Sequence, residues 1–114
     1  MFLDFHGHSV RKNVFTYGPG FGLGEGNYYK SRIFPKIIAN QTKMFRYYSC
    51  SFRISEHKLS TARAMISRFV PFCYTVETSN SAYYCADTRN IIDFTHYDWI
   101  TIGKEIGVSS LFYI

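Results

Sequence analysis

Short apolar runs separated by polar and glycine-rich stretches predict strands along the chain. Residues 2–5, 14–17 and 72–76 are rich in aromatic and β-branched side chains, which favour the pleated, partly buried surface of a sheet. Residues 52–54 form a weaker run and predict a further extended piece. Because the first run begins almost at residue 1, with no lead-in or cap, we expect the chain to be a portion of a larger domain.

Helical spacing occurs between these runs. Residues 28–40 place Tyr29, Ile33 and Ile37 at helical intervals, although Pro35 predicts a break or a helix start. Residues 61–69 are short and predict a helical turn. Strands that alternate with helices indicate an α/β layer arrangement.

The clearest predicted element is a C-terminal amphipathic helix. Thr95 followed by Asp98 is a capping-type start, and apolar residues recur at Trp99, Ile102 and Ile106. Ile100, Leu111 and Ile114 lie beside them, and the helix is expected to run for about five turns. Two interior glycines, Gly103 and Gly107, each weaken it by about 1 kcal/mol.

A glycine-rich stretch, residues 18–26, follows the second predicted strand. Its alternating glycines raise the question of a phosphate-binding loop. No Walker lysine follows them, and no strand–turn–helix unit surrounds them. The stretch is therefore predicted to be a flexible loop.

Composition places the chain among single globular domains. It has 114 residues, 46% of them apolar, which argues against disorder. The formal net charge of +5 is spread along the chain. It suits an acidic partner, while a mildly basic solvated surface is the alternative. No zinc-finger spacing, RNA-recognition motif or basic helix is found, so we predict no nucleic-acid partner.

Cysteine usage and hydropathy indicate the compartment. The three cysteines form no CxxC pair, which favours a reducing environment over a disulfide framework. The N-terminus lacks the apolar run of a signal peptide, and no stretch approaches the length of a membrane span. A cytoplasmic protein without a membrane partner is predicted.

Three sets of residues could carry chemistry. His6 and His8 follow the first strand, where we expect them to project to opposite faces; one could be a metal ligand, and an ordinary surface pair is the alternative. Glu77 follows a predicted buried strand, where a partly desolvated carboxylate suits a general base, unless it simply faces solvent. Arg63, taken alone, is most simply an exposed basic residue.

The order of motifs resembles the cytosolic carboxypeptidases, a branch of the carboxypeptidase A superfamily. The run DFHGHSVRKNVFTYG, residues 4–18, is similar to the family's DLHGHSRKKNVFMYG. Further similar runs follow in the family's order: RIFPK at 32–36, YSCSF at 48–52, KLSTAR at 58–63, YTVETS at 74–79, and DFT through IGK at 93–104. The resemblance covers nearly the whole chain.

The resemblance implies a fold, a cofactor and roles for individual residues. The fold would be the C-terminal portion of a three-layer α/β/α mixed-sheet metallocarboxypeptidase domain. His6 would be the third ligand of one zinc ion and His8 would line the substrate cleft. Glu77 would be the general base, and Arg63 and Thr75 would lie in the pocket for the substrate's C-terminal side chain. The implied substrates are polyglutamate chains or acidic protein tails such as those of tubulin.

Several positions depart from the family pattern, and these departures leave other functions open. No HxxE occurs in the sequence, so the other two zinc ligands would lie upstream, and this chain alone is expected neither to hold zinc tightly nor to cleave a peptide. Leu59 and Ser60 replace a Glu-Gly pair next to Arg63. The alternatives are a truncated or non-catalytic module that binds acidic tails, and a small basic binding protein.

Overall fold

A three-stranded mixed sheet forms the centre of the protein. We describe it from a computed structural model, which defines residues 1–113. The strands are β1 (Phe2–His8), β2 (Val14–Tyr17), β3 (Cys73–Ser79), β4 (Ala82–Cys85) and β5 (Asn90–Asp93), and the helices are α1 (Lys30–Gln41), α2 (Ala62–Ile66) and α3 (His96–Tyr113). Two 3₁₀ turns span Tyr47–Ser49 and Glu56–Lys58.

The middle strand of the sheet is β3. It pairs in parallel with β1, where His6 lies opposite Glu77, and antiparallel with β2, where Phe15 lies opposite Glu77. A strand with neighbours on both sides is mostly buried, and only Thr78 of β3 is not buried. Glu77 therefore sits in the interior of the sheet, flanked by two strands.

One face of the sheet carries the hydrophobic core. Side chains on alternate strand positions, including Val14, Tyr74 and Val76, pack against the two long helices. The helices contribute fully or almost fully buried side chains to this cluster: Phe34, Ile38, Ile102 and Ile106. The α/β class with a mixed sheet, predicted from the sequence, is confirmed.

Pro35 lies inside α1 and does not break it, contrary to the prediction. A proline has no backbone N–H, so the carbonyl four residues earlier loses its helical donor. That carbonyl belongs to Ser31, and the Tyr74 hydroxyl donates to it over 2.8 Å. The helix continues through Pro35 because the sheet supplies the missing donor.

The C-terminal helix begins as predicted. The Thr95 backbone N–H donates to the Asp98 carboxylate (2.8 Å), and the Asp98 N–H donates to the Thr95 hydroxyl (3.2 Å), a reciprocal cap. Ile102 and Ile106 are buried, whereas Ile100 and Leu111 are exposed. Ile114 lies outside the described residues. No helix within residues 1–113 has both the length and the apolar character needed to cross a bilayer.

Several boundaries differ from the predictions. Residues 52–54 form no strand. An isolated bridge pairs Tyr17 with Ser51, the residue before this stretch. The predicted helical turn at 61–69 is regular only over Ala62–Ile66. The β4–β5 hairpin was not predicted from the sequence. Residues 18–26 form neither helix nor strand, as expected.

Candidate functional site

A cleft of about 660 Å³ opens on the face of the sheet opposite the core. Its floor is formed by Asp4 and His6 of β1 together with Thr75 and Glu77 of β3, which face each other across the parallel ladder. Residues that close its sides come from β2, α2 and the segment between them: Tyr17, Ser51, Arg53, Ser55, Lys58, Thr61, Ala62 and Arg63. Four of the five predicted site residues therefore meet in one cavity.

The two histidines project to the same face of the sheet, and the prediction that they diverge is wrong. β1 does not end before His6 but continues as a regular strand to His8. In a strand, positions two apart share a face. Both imidazoles therefore lie on the face of the sheet that carries Glu77. On β3, His6 pairs with Glu77 and His8 pairs with Ser79.

Glu77 is buried, being 8% exposed, and belongs to the cleft wall. Its carboxylate lies beside His8, whose Nδ1 is 3.6 Å from Glu77 Oε2. The His8 ring is held by an edge-on contact with Phe15, 5.1 Å between ring centroids. A carboxylate in these surroundings keeps little water, which suits a group that must exchange a proton with a substrate.

His8 lies next to Glu77, and its role in the substrate cleft stays a prediction. It contacts Glu77 from beside the cleft, and the cleft lining does not include it. In the register of the sheet, His8 pairs with Ser79, two residues beyond Glu77 toward the end of the ladder.

Arg63 is 4% exposed, so the interpretation as a surface cation does not hold. Its guanidinium donates to the carbonyl of Gly18 and to that of Arg53 at 3.5 Å, and lies 5.8 Å from the Tyr17 ring centroid. Burial lowers the pKa of this guanidinium from its usual value. Arg63 lines the cleft from α2, whose N-terminus is capped by the Thr61 hydroxyl, which accepts from the Ala64 N–H over 3.4 Å.

Thr75 lies on the cleft floor and is 7% exposed. Sequence reasoning missed Asp4, Arg53 and Lys58, which also line the cavity. Asp4 could have been found, because it stands two residues before a candidate metal ligand on the same strand. Arg53 and Lys58 could not, since only the fold of the connecting segment brings them to the cleft.

The donor set fits part of a metal site. Imidazole and carboxylate groups are the donors that zinc accepts, and His6 Nε2 lies 2.9 Å from Asp4 Oδ2 in the cleft. Across residues 1–113, no three His, Cys, Asp or Glu side chains converge on a point where they could hold an ion. His6 can thus be one ligand, and a complete site needs donors from outside this stretch.

Comparison with known proteins finds that the chain is similar to several cytosolic carboxypeptidases. Human cytosolic carboxypeptidase 6 is 29% identical over 115 residues, covering 98% of the chain and 23% of that protein. Mouse cytosolic carboxypeptidase 4 is 38% identical over 93 residues (69% of the chain, 8% of that protein), and bovine cytosolic carboxypeptidase 3 is 31% identical over 101 residues (86% and 10%). No family model matches.

A solved structure shares the fold. The metallo-carboxypeptidase from Burkholderia cenocepacia superposes with a TM-score of 0.75 at 18% identity, over 99% of the chain and 30% of that protein. The chain spans less than a quarter of each of the curated relatives named above. What is shared is therefore a segment that contains the cleft floor described above.

Proposed function

Since the chain belongs to the cytosolic carboxypeptidase family, we propose that it forms part of a zinc-dependent carboxypeptidase that removes C-terminal glutamate from acidic protein tails such as tubulin's. The observation that carries this proposal is the pairing of His6 and Glu77 on adjacent strands at the floor of one cleft. An imidazole ligand and a buried carboxylate side by side are the two groups that metal-assisted peptide hydrolysis requires. A cytoplasmic location belongs to the same proposal.

His6 would supply one ligand of the zinc ion, and two further protein ligands would come from outside the 114 residues. Zinc, when bound, polarises the scissile carbonyl and makes water a stronger acid, with a pKa of about 7. The described residues supply no other imidazole to the cleft lining. This chain would thus contribute one ligand to the metal site, an imidazole nitrogen of His6.

Glu77 would act as the general base. It takes a proton from the attacking water and later passes a proton to the leaving amine, so that no free amide anion forms. Its burial excludes competing water, and its position in the middle strand fixes the carboxylate against β1. His8, at 3.6 Å, limits the orientations that the Glu77 carboxylate can adopt.

Basic residues around the cleft support an acidic substrate. Arg63 is buried at the cavity wall, while Arg53 and Lys58 are exposed at its border. Guanidinium groups pair with carboxylates through two parallel hydrogen bonds, which suits recognition of a glutamate side chain. We assign Arg63 and Thr75 to the side-chain pocket, and Arg53 and Lys58 to attraction of the acidic tail.

The test uses a chimera in which residues 1–114 replace the matching segment of human cytosolic carboxypeptidase 6. Release of glutamate from a peptide ending in glutamates is measured after zinc loading. We expect Glu77→Gln to lower kcat by at least about 100-fold, because general acid–base catalysis contributes on that order. The matched control is Glu25→Gln, in the exposed glycine-rich loop outside the cleft.

Two outcomes would contradict the proposal. A folded, zinc-loaded chimera whose Glu77→Gln variant keeps full turnover would remove Glu77 from catalysis. An inactive but folded chimera that still binds the acidic peptide would favour the alternative function, a non-catalytic module for acidic tails. The incomplete ligand set among residues 1–113 is the observation that favours this alternative.

A further inference from the structure

A groove of about 410 Å³ lies between α1 and the Tyr47–Ser49 turn. Among residues 1–113, none lines both this groove and the cleft. We propose that the groove binds an acidic segment of a partner protein in extended conformation, with Arg32 and Lys36 as the groups that recognise its carboxylates. The inference goes beyond the proposed function, because no residue of the cleft takes part in it.

The groove follows from the periodicity of α1. Phe34 and Ile38 are buried in the core, whereas Arg32, Ile33 and Lys36 line the groove. Side chains four positions apart lie on the same side of a helix, with Cβ atoms about 5–6 Å apart. The two cations are therefore neighbours along one wall of the groove.

The Arg32 guanidinium is held in place by the protein itself. It lies 3.6 Å from the centroid of the Tyr28 ring and 4.5 Å from that of Phe52. Its Nη1 donates to the Tyr28 carbonyl and, over 3.1 Å, to the Ser31 hydroxyl, which leaves Nη2 and Nε without an acceptor within residues 1–113. A guanidinium presents its donors in a rigid fork that matches a carboxylate, so this side chain loses little freedom on binding.

The positive charge of the groove is not neutralised by the described part of the chain. Neither Arg32 nor Lys36 pairs with a carboxylate there, and no acidic side chain of residues 1–113 lines the groove. The Lys36 ammonium lies 5.3 Å from the centroid of the Tyr47 ring, which keeps it beside the groove. Two unpaired cations in one concavity favour a ligand with two negative charges.

The spacing of the cations fits an extended peptide. A strand advances about 3.3 Å per residue and alternate side chains share a face, so alternate carboxylates lie about 6.6 Å apart. Arg32 and Lys36 are separated by about one helical turn, or about 5.4 Å. Exposed Tyr29, Ile33 and Tyr48 add apolar surface for the rest of the segment. A nucleic acid needs a longer basic track along its backbone than two cations provide.

The experiment is a titration of the ¹⁵N-labelled 114-residue chain with two hexapeptides, followed by nuclear magnetic resonance. Both peptides are threonine except for two glutamates, at alternate positions in one and at adjacent positions in the other. Acetyl and amide ends remove the terminal charges, including the C-terminal carboxylate next to which a carboxypeptidase cuts. We expect the amide signals of Ile33, Ile37 and Tyr48 to shift, and the alternate peptide to bind about threefold or more tightly than the adjacent one.

Variants test the two cations separately. Lys36→Glu, at an exposed position, should weaken binding of the alternate peptide by about tenfold or more, because like charges then face each other. Arg32→Lys keeps the charge but loses the fork and should weaken binding by about threefold. Lys104→Glu makes the same charge change at an exposed position of α3 and is the matched control.

Three results would overturn the inference. The first is equal weakening by Lys36→Glu and Lys104→Glu, and the second is the absence of shifts in α1 with either peptide. The third is tighter binding of a thymidine trinucleotide, which also carries two negative charges, than of the alternate peptide. The titration needs neither zinc nor turnover, so a failure of the proposed function would leave its outcome unchanged.

Discussion

At the scale of single residues, the Tyr74 hydroxyl replaces a backbone donor that Pro35 removes from α1. The phenol reaches through the core to the carbonyl of Ser31, and its ring packs 5.2 Å from Phe34. One polar atom of the sheet thereby completes the hydrogen bonding of a helix. Burial raises the pKa of this phenol well above its usual value, so the hydroxyl remains a donor under alkaline conditions.

Tyr74→Phe should lower the free energy of unfolding by about 1–3 kcal/mol, because the buried Ser31 carbonyl loses its partner. The measurement is denaturant unfolding monitored by circular dichroism. Combining it with Pro35→Ala, which restores a backbone N–H, should reduce the loss below the sum of the two single effects. Tyr84→Phe, on a partly exposed strand residue, is the control, and strict additivity would contradict the explanation.

The same phenol predicts an alkaline limit of stability. Its pKa is raised in the folded state, so the stabilisation is complete below the unfolded value of about 10 and declines as the pH rises above it. Tyr74→Phe should flatten the decline of the unfolding free energy above that pH. An identical alkaline slope in both proteins would show that Tyr74 does not ionise on unfolding.

At the scale of elements, the C-terminal helix could be predicted from neighbouring residues, whereas pairings between distant segments could not. α3 was predicted with its cap because Thr95 and Asp98 lie three residues apart and contact each other directly. The extension of β1 to His8 depends on pairing with residues 73–79, which no local pattern encodes. The burial of Arg63 and the cleft positions of Arg53 and Lys58 likewise depend on contacts distant in sequence.

The cap of α3 predicts acid sensitivity. Hydrogen bonds from the Thr95 N–H and hydroxyl lower the pKa of Asp98 below its usual value. The stabilisation is present above the unfolded value of about 3.9 and is lost as the pH falls through the lower folded value. Asp98→Asn should flatten the acid limb of a plot of unfolding free energy against pH, while Asp93→Asn should not; an unaltered acid limb in Asp98→Asn would contradict the role of the cap.

At the scale of the whole molecule, the two faces of the sheet differ: one packs into the hydrophobic core, and the other carries the cleft. The face with Val14, Tyr74 and Val76 is covered by α1 and α3, and the opposite face carries the cleft. Alternation along β3 is sufficient to produce this division, because neighbouring residues face opposite sides. Substitutions on the cleft face can therefore change binding with little effect on the core.

Charge around the cleft should govern binding of an acidic tail. Reversing both Arg53 and Lys58 to Glu should weaken binding of a glutamate-rich peptide by about tenfold or more, with an effect that shrinks as salt increases. Fluorescence anisotropy of a labelled peptide measures this, with Lys104→Glu on the exposed side of α3 as the control. Equal losses from the control and from the cleft variant would mean that net charge alone attracts the tail.

The pairing of residues 2–8 with residues 73–79 has a consequence for biosynthesis. On the ribosome, at about 5–20 residues per second, His6 emerges several seconds before the strand that holds Glu77. Until then β1 has no neighbour on that side, and its edge is open to chaperones or to other nascent chains. β1 can pair only after β3 has been synthesised. A ribosome stalled midway would therefore leave β1 unpaired with β3, and the cleft floor would not form.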